Sequence, residues 1–339
     1  MRYKLLGKSG LRVSELCLGT MTFGETWGWG ATKEESRKQF ELFLEAGGNF
    51  IDTSVNYTDG TSETFLGDFI RNRRNSIVLA TKYSLTKPDS MDPNSGGNSR
   101  KNMIQCVERS LTRLKIDFVD VLYLHMWDYM TPVEEVMRGL DDLVRMGKVT
   151  YIAISDSPAW IIAEANTRAE LMGWSRFIGV QAPYSLLNRD VERAIIPVAH
   201  HWDMAVLPWG ILESGVLTGK FMRDIEGETR LQPDKLHLNK RNHKIVREVH
   251  QVATEVERSM AQVAINWVRQ QQKTQIIPIL GSRSAEQLQD NLQTLEWKLS
   301  DEQLRRLDEV SKIDLGFPHD LLKGNPYIFG DTFNQIDVR

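Results

Sequence analysis

The stretch Asp52-Thr53-Ser54-Val55-Asn56-Tyr57 decides the fold, because it directly follows a short apolar run and puts polar side chains where a buried strand would end. Two further runs, 77–82 and 118–125, end in the same way at Lys82 and His125. In a parallel sheet the carboxyl ends of the strands lie on one face, so these side chains would meet there. The pattern predicts a proton-donating site on an α/β fold.

Strand-like runs occur eight times in the chain, with helical patterns and helix start signals between them. They cover residues 15–19, 49–53, 77–82, 118–125, 151–155, 177–181, 204–208 and 275–280. Since 339 residues leave no room for a second domain, this repeat favours one (β/α)8 TIM barrel domain over 1–339, with long loops at its C-terminal face. Residues 3–13 suggest an N-terminal β-hairpin that plugs the barrel, and about 313–339 an irregular C-terminal tail.

Composition and motifs exclude several classes of protein. A net charge of −3 and a sequence pI of about 6.2 imply no bulk attraction to nucleic acid or anionic membrane. Without an N-terminal signal pattern or a membrane-length apolar run, we expect a cytoplasmic protein. Cys17 and Cys106 suit neither a disulfide framework nor a metal site, and His200-His201 lacks a third ligand, so we expect no metal. No Gly-x-Gly-x-x-Gly follows a strand, which argues against a Rossmann domain.

Taken in order, these motifs resemble the aldo-keto reductase superfamily across nearly the whole chain, and most closely its microbial, plant and channel-β-subunit branch. The residues that carry the resemblance are Gly19-Thr20-Met21, Asp52 to Tyr57, Lys82, His125, Gln181, Pro208-Trp209-Gly210 through Gly219-Lys220, and Gly281-Ser282-Arg283 leading to Asn291. The resemblance implies a TIM barrel that binds NADPH/NADP+ and acts on a small aldehyde or ketone. It leaves the oligomeric state open.

Proton chemistry assigns a role to each of the four polar residues. Tyr57 is the natural acid for the alkoxide that hydride addition to a carbonyl leaves. Lys82 would lower the phenol's pKa from about 10, and Asp52 would keep Lys82 charged. His125 can hydrogen-bond the carbonyl oxygen and orient the substrate. The resemblance implies the same catalytic set, although Asp52 and Lys82 alone could be a structural ion pair and His125 alone a satisfied core histidine.

The resemblance also implies a cofactor site that runs across the barrel mouth. Arg283, Gln287 and Asn291 match the positions that hold the adenosine 2′-phosphate and the adenine, at a helix N-terminus suited to phosphate. Trp209 matches the residue that stacks on the nicotinamide. The remaining expected cofactor contacts are Gly19, Thr20, Met21, Asp52, Ser155, Gln181, Gly210, Leu212, Gly215, Lys220, Arg230, Gly281 and Ser282.

Two positions depart from the family's pattern. Asp156 stands where the family usually has Asn, and Gly210 replaces a common serine, so one carboxamide contact and one pyrophosphate contact are in doubt. At the helix N-terminus, the alternative is that Ser284 is only a cap and Arg283 only a solvated charge.

Four large apolar or aromatic side chains are expected to surround the nicotinamide and form the substrate pocket: Trp27, Trp29, Met126 and Trp127. Such a wall suits an apolar substrate body, unless these side chains belong only to the barrel rim. The leading function is NADPH-dependent carbonyl reduction. A nucleotide-sensing regulatory subunit with slow turnover and a sugar-phosphate isomerase are the alternatives.

Overall fold

Eight parallel strands form a barrel in this computed structural model, which describes residues 1–220, 239–323, 326–330, 332 and 335–337. The strands are β3 Cys17–Gly19, β4 Phe50–Asp52, β5 Val78–Tyr83, β6 Val119–Leu124, β7 Val149–Ser155, β8 Phe177–Pro183, β9 Ala205–Trp209 and β10 Ile279–Gly281. They pair in the order β10-β3-β4-β5-β6-β7-β8-β9, and a bridge between Val206 and Ile276 closes the ring. The predicted TIM barrel is confirmed.

Helices follow the strands and cover the outside of the barrel. They are α1 Lys33–Glu45, α2 Thr61–Phe69, α3 Arg100–Leu114, α4 Val133–Arg145, α5 Ala159–Met172, α6 Ile195–His201, α7 Lys240–Glu255, α8 Met260–Arg269, α9 Ala285–Leu292 and α10 Asp301–Ser311. The tail, expected to be irregular, contains two single-turn helices, α11 His319–Leu322 and α12 Pro326–Phe329.

The strands are buried on both faces, which explains their nearly continuous apolar sequences. In β5, Val78 and Ala80 pack into the cluster inside the barrel, whereas Leu79 between them packs outward against the helices. Full burial of the valine or of the leucine contributes about 1.5–3 kcal/mol. The interior is therefore filled by side chains below the polar strand ends.

The N-terminal hairpin closes the bottom of the barrel, as the sequence predicted. Its strands are β1 Tyr3–Leu5 and β2 Arg12–Ser14. Leu6 and Val13 join the inner cluster. Gly7 has φ +53°, and a Cβ there would lie 2.0 Å from a backbone oxygen of β8, so only glycine fits this close approach.

Most strand boundaries differ from the sequence prediction by one or two residues, and at the first and last barrel strands the difference has a clear cause. The first barrel strand begins at Cys17, because Glu15 turns away to an ion pair with Arg269 (3.1 Å). The last begins at Ile279, after Pro278, which has no N–H to donate to a ladder.

Among the described residues, no helix is long and apolar enough to cross a membrane. The same residues contain no group of three His, Cys, Asp or Glu side chains placed to hold a metal ion.

Candidate active site

The predicted catalytic residues meet at the carboxyl ends of neighbouring strands. Asp52 ends β4, Lys82 lies one residue before the end of β5, and His125 directly follows β6. Tyr57 begins a single 3₁₀ turn in the loop after β4. All four side chains are buried, and Lys82 is completely inaccessible. The barrel therefore brings together the four groups that sequence reasoning singled out.

Lys82 is the centre of the network. Its Nζ donates to Asp52 Oδ2 at 2.5 Å, to the Thr53 carbonyl at 2.9 Å and to Tyr57 Oη at 2.9 Å. An ammonium has three hydrogens, so these acceptors satisfy it completely. Tyr57 accepts in this contact, which leaves its own phenolic hydrogen available to another group. Gln181 Nε2 donates to the second Asp52 oxygen at 2.9 Å and fixes that carboxylate.

The pKa shifts follow from burial and from the charges within this network. Burial raises the pKa of Asp52, with Lys82 opposing. Burial would lower the pKa of Lys82, but Asp52 and Tyr57 outweigh it, so the pKa is raised and the ammonium stays charged. The sequence prediction for Tyr57 was wrong in sign: burial raises its pKa and outweighs the lowering effect of Lys82. Tyr57 therefore stays protonated at neutral pH and can donate.

His125 is neutral at neutral pH. Burial, and then the charge of Lys82, lower the pKa of its imidazole well below the usual range. Its ring stands edge-on to that of Tyr57, with centroids 6.0 Å apart. Its Nδ1 lies 3.2 Å from Ser54 Oγ. The ring can therefore position a substrate oxygen beside Tyr57 without adding charge.

The backbone that presents Tyr57 is strained. Thr58 and Asp59 have φ values of +45° and +58°, a conformation unfavourable for a β-branched residue such as threonine. Thr58 Oγ1 donates to the Phe23 carbonyl at 2.6 Å, and Arg113 donates to the Val55 carbonyl at 2.7 Å. These contacts hold the loop in a shape that keeps Tyr57 over Lys82.

The residues expected near the nicotinamide lie around this network. Ser155 ends β7, and its Oγ is buried and makes no hydrogen bond of good geometry among the described residues, although it interacts with the neighbouring Asp156 carboxylate. A buried hydroxyl of this kind fits a ligand amide, as the cofactor's carboxamide would provide. Trp209, at the end of β9, donates from Nε1 to Asp156 Oδ1 at 3.2 Å. Burial raises the pKa of Asp156, with the Trp209 hydrogen bond opposing.

The expected phosphate site lies at the N-terminus of α9. Ser284 caps this helix by accepting from Gln287 N at 3.3 Å, and Gln287 Oε1 accepts from Arg283 N at 2.9 Å. The Arg283 guanidinium lies over the Trp29 ring, 5.8 Å from its centroid. Ser284 is therefore a cap, as the plainer interpretation held, but Arg283 is held against an aromatic face rather than only solvated.

The other expected cofactor contacts differ in how available they are. Gly210 and Gly215 both have positive φ; a Cβ at Gly210 would meet open space, and one at Gly215 would meet only the Thr218 hydroxyl at 3.8 Å. Leu212 is half-buried and Lys220 is exposed, whereas Arg230 lies outside the described residues. Gly281 is exposed and Met21 half-buried, while Gly19, Thr20 and Asn291 are buried. The Ser282 hydroxyl donates to Gln39 at 2.7 Å, and that of Thr20 donates to the Asp52 carbonyl at 2.9 Å.

The expected substrate wall divides into two groups. Met126, directly after His125, is 45% exposed, whereas Trp127 is buried and packs into the outer core. Trp27 and Trp29 lie together with centroids 5.6 Å apart. Since Trp29 also contacts Arg283, this pair connects the loop after β3 to the expected phosphate site.

Sequence reasoning missed the polar neighbours of His125 and Lys82. Ser54 and Asn56 follow Asp52 at intervals of two, and the Thr53 carbonyl is one of the three acceptors of Lys82. Their place in the polar run that directly follows β4 was the usable signal, whereas strand periodicity was not, because Val55 and Asn56 lie in a turn. The backbone acceptor had no sequence signal.

Comparison with known proteins agrees with this geometry. The Aldo/keto reductase family model matches residues 15–312. The chain is 37% identical to an aryl-alcohol dehydrogenase [NADP(+)] of Phanerodontia chrysosporium, with 96% of this chain and 89% of that protein covered. It is also 37% identical to a norsolorinic acid reductase of Emericella nidulans (94% and 83% covered) and to an aryl-alcohol dehydrogenase of Pestalotiopsis microspora (95% and 85%). The chain therefore belongs to the aldo-keto reductase family.

Proposed function

We propose that this oxidoreductase uses NADPH to reduce aromatic aldehydes or ketones to alcohols, with Tyr57 as the general acid. The observation that carries the proposal is the hydrogen-bond arrangement at Lys82. Its three hydrogens go to Asp52, Thr53 and Tyr57, so the phenolic hydrogen of Tyr57 is left for the substrate oxygen. The family membership and the names of the relatives support the same reaction class.

The residues act on the substrate oxygen. When bound, the nicotinamide supplies the hydride that reaches the carbonyl carbon. Tyr57 then protonates the alkoxide oxygen, while Lys82 stabilises the phenolate that remains. Asp52 keeps Lys82 charged and in place. The ring of His125 is neutral and stands beside Tyr57, so it can position the substrate oxygen without adding charge. Burial of the whole network keeps these interactions in a low-dielectric environment, where they are stronger than in water.

NADPH is proposed over NADH because of Arg283. A guanidinium can form a forked pair with a phosphate, and only NADPH carries the 2′-phosphate. The contact with Trp29 holds Arg283 beside the N-terminus of α9, which favours anions. One aryl-alcohol dehydrogenase relative carries NADP(+) in its name. The buried Ser155 hydroxyl, which makes no hydrogen bond of good geometry, fits the nicotinamide end of the same cofactor.

Replacing Arg283 with alanine is expected to weaken NADPH binding about 10- to 100-fold, the usual worth of a charge-assisted hydrogen bond. NADH binding should change much less. Fluorescence titration of the purified protein measures both dissociation constants, and Arg71→Ala serves as the control because it removes an exposed cation elsewhere. An equal loss of affinity for both cofactors would show that Arg283 does not bind the 2′-phosphate.

The function itself is tested by following NADPH absorbance with a panel of aldehydes. We expect turnover with a substituted benzaldehyde at kcat/KM values above those for glyceraldehyde and xylose. Tight NADPH binding with no more than a slow single turnover across the panel would instead favour the nucleotide-sensing alternative.

Met126 is the exposed candidate for contact with an aromatic substrate. We expect Met126→Ala to lower kcat/KM for the benzaldehyde about five-fold, since losing about 40 Å² of apolar contact costs about 1 kcal/mol. The value for glyceraldehyde should barely change. Met146→Ala is the matched control, because Met146 is an exposed methionine at the C-terminus of α4, whereas Met126 precedes that helix. Equal effects on both aldehydes would show that Met126 does not contact the aromatic substrate.

A further inference from the structure

The indole of Trp209 reaches across part of the barrel mouth. Trp209 ends β9 and Asp156 directly follows β7, so β8 lies between the two strands that carry them. The indole Nε1 nevertheless donates to Asp156 Oδ1 at 3.2 Å. Ser155 and Gln181, which are paired on β7 and β8, are the residues expected at the carboxamide. The contact between Trp209 and Asp156 therefore spans the strands of the expected nicotinamide site.

The two departures from the family's pattern both belong to this contact. Asp156 is the acceptor, and Gly210 directly follows Trp209. Gly210 has φ +69°, and a Cβ there would meet nothing within 4 Å, so packing does not fix the chain at that point. Trp209 itself is 40% exposed. The position of the indole therefore depends on the side chain's own contacts, and Asp156 supplies a polar one.

The direction of the hydrogen bond and the place of its acceptor are both fixed. An indole N–H can only donate, so Asp156 must accept in this contact. The backbone N of Asp156 donates to the Gln181 carbonyl at 3.2 Å. Its φ of +36° is a conformation that Asp and Asn adopt more readily than most other residues. The backbone thus holds the carboxyl group where the indole can reach it.

We propose that Asp156 is a positioning residue, which holds the Trp209 indole in place as one wall of the nicotinamide site. The part that concerns the nicotinamide rests on the proposed function. A ring that is already held when the cofactor arrives loses no side-chain freedom on stacking, so more of the stacking energy appears as affinity. Asp156 then acts on the cofactor through Trp209 rather than by a contact of its own with the carboxamide.

NMR of the cofactor-free protein labelled with ¹⁵N-tryptophan tests the contact directly, because a hydrogen-bonded indole N–H has a downfield proton shift and exchanges slowly with solvent. Trp209→Phe assigns the signal by its loss. In Asp156→Gly, we expect an upfield shift and about ten-fold faster exchange, as loss of one hydrogen bond would allow. Glycine adopts a positive φ without strain, so the loop should keep its shape. Asp156→Asn keeps an oxygen acceptor and should keep the slow exchange.

Asp308→Ala is the matched control, because Trp267 Nε1 donates to Asp308 Oδ1 at 3.1 Å. This variant should change the Trp267 signal and leave the Trp209 signal as it is. An unchanged Trp209 signal in Asp156→Gly would overturn the proposal. The NMR measurements need neither cofactor nor turnover, so failure of the contact is separate from failure of the proposed function.

Cofactor titrations test the consequence for the nicotinamide. In Asp156→Gly, we expect NADPH affinity to fall about five-fold, as loss of one hydrogen bond would cause. Affinity for adenosine 2′,5′-bisphosphate, which has no nicotinamide, should stay the same. Asp156→Asn should bind NADPH at least as tightly as the wild type. In a Trp209→Phe background, Asp156→Gly should cost nothing further, because phenylalanine has no N–H to donate.

Three outcomes of these titrations would contradict the proposal. Equal losses of NADPH affinity in the two backgrounds would mean that Asp156 acts on the cofactor directly. A loss for both ligands would mean that Asp156 only supports the fold, and no loss for NADPH would mean that the contact does not affect the nicotinamide. Failure of the wild type to bind either ligand would instead count against the proposed function.

Discussion

Tyr57→Phe is expected to lower kcat for aldehyde reduction by at least about two decades, the usual contribution of a positioned general acid. Phenylalanine keeps the ring in its buried position but has no hydrogen to give to the alkoxide. Steady-state NADPH oxidation with the benzaldehyde measures the loss. NADPH affinity should stay within a few-fold, because the phenol acts on the substrate and not on the cofactor phosphates.

Two controls make this result specific to proton donation. Tyr123→Phe removes a buried phenol on β6 that lies near Lys82, with the ring centroid 5.9 Å from Nζ, and it should keep most of the activity. Circular dichroism should show both variants folded. Near-normal turnover in Tyr57→Phe would show that Tyr57 is not the proton donor.

Lys82→Met is expected to lower the free energy of unfolding by about 3–5 kcal/mol, because it leaves a buried carboxylate without its partner. Methionine has similar length and no charge, so packing changes little. Asp52 would keep only the Gln181 hydrogen bond, and the Thr53 carbonyl would lose its donor. Urea unfolding at neutral pH measures the shift of the midpoint.

The double variant Asp52→Asn with Lys82→Met separates stability from chemistry. It removes both charges, and Asn at position 52 can still accept from Gln181, so most of the lost stability should return. Activity should stay low, because nothing then stabilises the Tyr57 phenolate. A single and a double variant of equal stability would mean that the buried ion pair does not account for the loss.

The fold could be predicted because its pattern is repeated and local. Eight apolar runs, separated by helix start signals, fit few other arrangements in a chain of this length. The four catalytic candidates could be predicted because each lies at or shortly after the carboxyl end of a strand-like run, and a barrel brings those ends together. The strand ends themselves were less certain: Glu15 was included in β3, although its side chain pairs with Arg269.

Features that depend on distance and burial could not be predicted from the sequence. The pKa of Tyr57 is set by a competition between burial and Lys82, and the sequence shows only that a cation is available. The contact between Trp29 and Arg283 joins residues more than 250 positions apart.

The hairpin that closes the bottom of the barrel also determines the order in which the protein can fold. Lys4 Nζ bonds to the Ile276 carbonyl, and Gly7 N to Gln275 Oε1, across 272 and 268 positions of sequence. Next to them, β3 pairs with β10. Contacts between such distant residues form slowly, because a long loop must close first. During synthesis the ring cannot close until the last strand has emerged, so the half of the site around Arg283 is completed last.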